Sequence, residues 1–343
     1  YYLPGGLEAQ FYIIRYHNTG GYLQMQYNPS EKIHVTAGIR YDMNSRYGNS
    51  VNPRAGIVMQ PSAKTTLKVL YGSAFLAPCP SNSYVQYGSF ETQDSGKTYH
   101  SYFLHLPNPG LKPIRSHNLE ISLQQYITDN LSMHLNGYYT GLTGLHEFAD
   151  DNESTHLYNN MFRGIPVDYV EVFVNESEQK NYGGSFRVNL KHSAGTFRFN
   201  SYASLSYVNG VVYDPVVSLG ENKRTEIDFI SPFMFRLGTD LKNGKFTGSA
   251  RLLVSGKQRL AGIRENSGPI ARRKLLGGYS LLNLSIRYTP TTNLSFFTNI
   301  TNVLNQHYRS VGLNMGIPDQ NTEGLYGQPE DPIRLVAGIH FSF

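Results

Sequence analysis

Segments of about ten residues in which apolar and polar side chains alternate recur from one end of this 343-residue chain to the other. Successive side chains of a strand point to opposite faces, so each segment has one apolar and one polar wall. Ile33, Val35, Ala37, Ile39 and Tyr41 oppose Lys32, His34, Thr36, Arg40 and Asp42. Leu119, Ile121 and Leu123 oppose Asn118, Glu120, Ser122 and Gln124, and Phe186, Val188 and Leu190 oppose Arg187, Asn189 and Lys191. Leu282, Leu284, Ile286 and Tyr288 alternate with Asn283, Ser285 and Arg287. Strands are expected over 8–16, 20–28, 32–42, 51–60, 65–75, 114–127, 131–147, 180–191, 195–208, 230–241, 245–256, 279–289, 293–302 and 333–343. Helical periodicity is nearly absent.

The connections alternate in length. One set is short and built of turn residues: Asn28 to Glu31, Gln60 to Lys64, Thr128-Asp129-Asn130, His192 to Gly195, Asn243-Gly244 and Pro290-Thr291-Thr292. Asn-Gly is the strongest of these hairpin signals. The other set is mostly long: 76–113, 148–179, 209–229, 257–278 and 303–332. Tight turns at one end and long loops at the other are the pattern of a transmembrane β-barrel, whose strands need about ten residues to cross a bilayer at a tilt. Loops of this length count against a compact soluble domain.

Composition agrees. Charged residues are only 16%, below the usual quarter, while the chain holds 26 tyrosines and 33 glycines. No apolar run approaches the roughly 18 to 20 residues of a transmembrane helix, which excludes a helical membrane protein. A barrel needs only alternate residues to be apolar, so a hydrophobic content of 40% is no obstacle. Tyr41, Tyr71, Tyr138, Tyr139, Tyr207, Tyr288, Phe341 and Phe343 lie near strand ends and suit aromatic girdles at the headgroup level. The net charge of +5 comes from dispersed basic residues, so nucleic acid is not an expected partner. The single cysteine, Cys79, cannot form an internal disulfide. No signal peptide precedes Tyr1, and the sequence is expected to begin partway into a longer protein. No phosphate-binding, zinc-hydrolase or nucleophile-elbow motif occurs, so no catalysis and no cofactor are expected.

Several segments, in order, resemble the barrel of TonB-dependent outer-membrane receptors. Val35 to Asp42 (VTAGIRYD) resembles the family's TAGLRYD strand, and Asn52 to Gly56 (NPRAG) its SPRLG. Leu67 to Pro78 (LKVLYGSAFLAP) resembles LKLSYGRAFRAP, with Leu76 in place of the FRAP arginine. Asn108 to Pro113 (NPGLKP) resembles NPNLKPE, with Gly110 in place of the second asparagine, and Ser116 to Leu123 stands where the family has SxxxELGL. Phe297 to Tyr308 (FTNITNVLNQHY) resembles VxNLFDKxY. The end of the chain, with Ile339, Phe341 and Phe343, is similar to the signal read by the barrel-assembly machinery.

The resemblance implies an all-β, antiparallel transmembrane barrel. The whole of 1–343 would be the C-terminal part of one barrel domain, about fourteen strands of about 22. The N-terminal plug and roughly eight strands would be missing. It implies a multi-pass protein of the Gram-negative outer membrane, in contact with lipid and lipopolysaccharide. Its role would be uptake of a scarce, bulky nutrient energised by TonB through the missing plug, with an iron–siderophore complex or haem as ligand. The alternative is a plugless diffusion porin of about fourteen strands.

Candidate contacts lie in the long loops. The 76–113 loop carries Tyr84, Tyr87, Tyr99, His100, Tyr102, Phe103 and His105. Flat rings stack on iron chelates or haem, and neutral imidazole can ligate iron. The resemblance adds that haem receptors of the family place a ligand histidine between the FRAP and NPNL boxes, where His100 and His105 stand. The 257–278 loop carries Lys257, Arg259, Arg264, Arg272, Arg273 and Lys274, suited to an anionic siderophore or to lipopolysaccharide phosphate. The acidic residues of 148–179 are read as a solvated charge run without calcium-site spacing, so no metal site is expected. Arg40, Glu120, Arg187, Arg198, Arg236, Asp240, Arg251, Arg287 and Arg334 are expected to form a polar inner wall, pairing with one another or with a plug.

Overall fold

A computed structural model describes residues 14–93, 98–150, 161–162, 164–213, 224–259, 275–311 and 327–342. Its body is a 16-stranded sheet. The main path runs in chain order through β1 (Asn18–Ser30), β2 (Ile33–Asn44), β3 (Gly48–Ser62), β4 (Thr65–Leu76), β5 (Ile114–Tyr126), β6 (Leu131–Asp150) and β7 (Val170–Ala194). It continues through β8 (Phe197–Tyr213), β9 (Phe233–Asn243), β10 (Phe246–Ser255), β11 (Tyr279–Thr291), β12 (Leu294–Thr301) and β13 (Arg334–Phe341). Each strand pairs antiparallel with the next. Tight turns close one end; in the β9–β10 turn Gly244 takes φ 54°, a conformation that costs a residue with a side chain more.

Register turns thirteen local alternations into two continuous faces. Ile33, Met59, Leu67, Leu123, Leu135, Phe186, Leu205, Phe235 and Val254 stand side by side in a single row from β2 to β10. The next row, on the opposite face, holds Val58, Lys68, Ser122, Asn136, Ser185, Ser206, Met234 and Ser255. A one-residue slip in any strand would bring its apolar set onto the polar face, so the pattern itself fixes the register.

Among the described residues nothing packs on the apolar face. Leu205 is 49% exposed, Ile286 61% and Ile339 68%. Among the described residues the buried apolar cluster is Leu104, Leu106, Phe162, Val167 and Val170, with Ile165 against it, and it lies at the long-loop end rather than in the sheet body. A sheet of this size without a core is unstable in water and needs an apolar solvent on that face. Among the described residues no helix is long and apolar enough to cross a membrane; this sheet would cross with its strands.

Aromatic residues band the apolar face near its ends. Tyr71, Tyr139 and Tyr182 share a row with Leu119 toward the long-loop end. Phe246, Tyr288 and Phe296 share one near the tight turns, where the rings of Phe246 and Tyr288 stack at 4.6 Å. Tyr138 departs from the girdle expectation: it pairs with Glu120 and faces the polar wall, because its neighbour Tyr139 holds the apolar position.

Thirteen of the fourteen expected strands appear. The expected strand at 8–16 falls mostly outside the described residues, and 14–17 are not in a strand. The expected 148–179 loop is the largest correction. β6 runs on to Asp150 and β7 begins at Val170, so the two continue as a hairpin past the level of the other strands, with an irregularity at Asn175–Ser177. Val170, Val172 and Val174 share one face there, but the other holds Glu171, Phe173 and Asn175, so the strand does not read as a clean alternation in sequence.

Candidate functional site

The 76–113 segment is a folded cap rather than an open loop. Pro80–Tyr84 forms one helical turn, α1. The strands Tyr87–Gln93 and Thr98–Leu106 form an antiparallel hairpin. Its second strand then pairs in parallel with the start of β7, setting Leu104 beside Val170, His105 beside Glu171 and Leu106 beside Val172. Leu104 N–H donates to the Tyr169 carbonyl at 2.9 Å, and Asp168 N–H to that of Ser101 at 2.9 Å. The apolar cluster described above is the core of this cap.

The Asn108 to Pro113 motif clamps the cap to the sheet. Asn108 Nδ2 donates to the Phe173 carbonyl at 2.7 Å, while its Oδ1 accepts from Gly110 N–H at 2.9 Å. Asn175 Oδ1 accepts from Lys112 N–H at 2.7 Å, and its Nδ2 donates to the carbonyls of Lys112 and Gly144. One asparagine from each side thus satisfies backbone groups that no ladder reaches. The sequence marked this motif; that it works as a joint comes only from its long-range partner, Asn175.

Two groups of the expected contact residues are separated by this packing. Tyr87 and His105 are paired in register and their rings stack at 4.7 Å. Phe173 and Phe148 meet the other sides of the imidazole edge-on, at 5.2 and 5.8 Å. His105 is fully buried, and its Nδ1 lies 3.4 Å from the Glu171 carboxylate. Burial lowers the His105 pKa and raises that of Glu171, since each charged form loses water. Burial also raises the Tyr87 phenol, with the Glu171 charge adding to it. His105 is therefore enclosed as a neutral packing residue of the cap.

His100 and Tyr102 form the second group, at 5.0 Å ring to ring. His100 Nε2 is 2.9 Å from Asp168 Oδ1. Tyr102 donates to Glu91 Oε2 at 2.6 Å, a bond to the neutral phenol that raises its pKa. Tyr102 is 54% exposed, while the His100 side chain keeps only 18% of its surface, so the phenol is the accessible member of the pair. Tyr99 pairs in register with Thr92 on the same hairpin. Tyr84 stands apart: with Arg46, whose guanidinium lies 5.9 Å from its ring centre, it lines a cavity of about 390 Å³ with Tyr16, Tyr47 and Leu111.

Of the basic loop, Lys257 is exposed and Arg259 lies in a short pairing of Gln258–Arg259 with Leu275–Leu276. Arg264, Arg272, Arg273 and Lys274 lie outside the described residues. Ile339 and Phe341 are on the apolar face of β13, and Phe343 lies outside the described residues. Among the described residues no group of three or more His, Cys, Asp or Glu side chains is placed to hold a metal ion.

The sequence matches the family model described as TonB dependent receptor-like, beta-barrel, over residues 1–303. No curated protein sequence matches the chain. Among solved structures, the chain is similar to the outer membrane transporter YddB from Escherichia coli, with TM-score 0.72 and 13% identity, over 96% of this chain and 45% of that one. It is similar to the siderophore receptor PirA from Acinetobacter baumannii, with TM-score 0.68 and 15% identity, over 96% and 46%. A variant of the ferric enterobactin receptor PfeA from Pseudomonas aeruginosa gives TM-score 0.67 and 16% identity, over 96% and 45%. The chain spans less than half the length of these structures.

Proposed function

The chain belongs to the TonB-dependent receptor β-barrel family and is a protein of the Gram-negative outer membrane, and from that premise we propose that it walls a pathway for TonB-energised uptake of an iron–siderophore complex. Haem is the second ligand class. The tight turns then face the periplasm and the cap faces outward. The observation that carries the reading is the exposed Tyr102 phenol, held by Glu91 on the cap hairpin beside a largely covered His100 imidazole that Asp168 engages. Such a phenol offers stacking and hydrogen bonding to a flat chelate. Tyr84 and Tyr99 contribute from the same cap. TonB would act through a plug domain, as the family premise implies. Lys257, Arg259, Arg272, Arg273 and Lys274 would meet lipopolysaccharide phosphate or an anionic chelate, and Ile339, Phe341 and Phe343 the barrel-assembly machinery.

A diffusion porin of about fourteen strands would require β1 to meet β13. Among the described residues each of these strands pairs with one neighbour only, which favours the receptor reading. The test is radiolabelled iron uptake by cells carrying the full-length protein, supplied with a panel of ferric siderophores and haem. Uptake of one chelate that vanishes when TonB is deleted supports the proposal. Uptake that is TonB-independent and scales only with solute size supports the porin.

A further inference from the structure

The cavity at the base of the cap measures about 390 Å³, inside the roughly 300 to 1,000 Å³ of small-molecule sites. Pieces of chain far apart in sequence wall it. Tyr16 comes from the approach to β1, Asn44, Arg46 and Tyr47 from the end of β2 and the β2–β3 turn, Tyr84 from α1, and Leu111 from the motif that clamps the cap. Three prolines complete the apolar lining, and Arg46 is its one charged residue among the described residues.

The walls are tied together by hydrogen bonds. Asn44 is buried, and its Oδ1 accepts from Arg46 N–H at 2.8 Å and from Tyr47 N–H at 3.4 Å, which shapes the turn. Ser45 N–H donates to the His17 carbonyl at 3.1 Å, and His17 N–H donates back to Ser45 Oγ at 3.0 Å. Arg46 is fixed in the same way: its Nε and Nη2 donate to the Arg15 carbonyl at 3.1 and 2.9 Å. Those bonds use one edge of the guanidinium. A guanidinium has five N–H donors in a planar fork, so the Nη1 edge is left for an acceptor. Among the described residues no carboxylate pairs with Arg46. The Tyr84 ring centre lies 5.9 Å from the guanidinium carbon, so the free edge and an aromatic wall stand side by side.

We infer that this cavity binds a small aromatic carboxylate, its ring against the tyrosines and its acid on the free edge of Arg46. A guanidinium edge matches the two oxygens of a carboxylate, and flat rings stack favourably on tyrosine. A single cation balances a monoanion and leaves a phosphate dianion half neutralised. The inference stands apart from the uptake reading: neither Tyr102 nor Glu91 lines this cavity, and binding here needs neither iron nor TonB.

The test is saturation-transfer NMR on the purified, iron-free full-length protein, titrated with benzoate, cyclohexanecarboxylate, benzyl alcohol and inorganic phosphate. Benzoate should bind saturably, and the first two analogues, which lack the ring or the acid, at least about fivefold more weakly. Arg46→Gln should weaken benzoate roughly tenfold. Because Arg46 also ties the turn to Arg15, Tyr84→Leu serves as the second variant and should weaken it about fivefold. The analogue series needs no variant. Equal binding of benzoate and both analogues, or affinity unchanged in both variants, overturns the inference. So does phosphate displacing benzoate at equal concentration, which identifies an unselective anion site, and so does the lack of saturation by about 10 mM. Ferric-chelate uptake is read separately, so either proposal can fail alone.

Discussion

The imidazole of His105 lies against the ring of Tyr87 at 4.7 Å, tilted by 23° and closed off from solvent. This contact joins the two strands of the cap hairpin, and Phe173 and Phe148 join it to β7 and β6. His105→Ala empties an enclosed site and should destabilise cap docking by about 2–4 kcal/mol. His105→Phe keeps the stack and removes nitrogens that lack a hydrogen-bond partner among the described residues, so its cost should stay within about 1.5 kcal/mol. Limited proteolysis between residues 87 and 106 reads the difference. Equal cleavage of both variants would show that the stack does not hold the cap.

Acidity should loosen the same joint when Glu171 is neutralised. His105 has its pKa lowered below the ordinary 6.5 by burial, so the open cap binds the proton more readily. That contribution is fully present above 6.5 and is lost as pH falls through the window below it. Glu171 works the other way: its pKa is raised above 4.5, so acid favours the docked state. In Glu171→Gln only the histidine contribution remains. Amide exchange across 98–106, corrected for intrinsic rates, should then speed up on going from about pH 7.5 to 5.5. Unchanged protection would contradict the assignment of His105 as buried and neutral.

The open face should bear on ligand binding and the buried one should not. Tyr102→Ala is expected to weaken chelate binding by more than about 1 kcal/mol, roughly fivefold or more. Tyr102→Phe tests the phenol alone. His105→Phe should bind the chelate as the wild type does. Direct titration of the purified full-length protein decides; loss of affinity in His105→Phe with none in Tyr102→Ala would exchange the two roles.

The Asn108 clamp predicts a joint that fails locally. Asn108→Ala removes the bond to the Phe173 carbonyl and the turn bond to Gly110, a loss of about 1–3 kcal/mol. Proteolysis should rise in the cap while heat-modifiable mobility of the barrel is unchanged. A barrel that melts along with the cap would show that the two are one cooperative unit.

The sheet was legible in the sequence because bilayer crossing imposes one rule on every strand. Leu205 must sit opposite Phe186 and Phe235, and a slip exposes Ser204 to lipid. The cap obeys no such rule. In Thr98–Leu106 a serine and a histidine are fully buried beside Leu104, so burial does not follow hydrophobicity. Its decisive partner, Val170–Val172, is distant in sequence and pairs in parallel, which short-range patterning cannot register. Among the tyrosines, adjacent Tyr138 and Tyr139 necessarily face opposite ways, and only register says which meets Glu120.

The central claim is that Leu205 and its row face lipid while Ser204 and its row do not. Spin labels at positions 203, 204, 205 and 206 of the full-length protein in membranes, with Cys79→Ser to remove the native thiol, measure this directly. Collision with oxygen, which concentrates in lipid, should be high at 203 and 205 and low at 204 and 206. Oxygen access that is uniform, or that alternates in the opposite phase, would contradict a lipid-facing apolar wall.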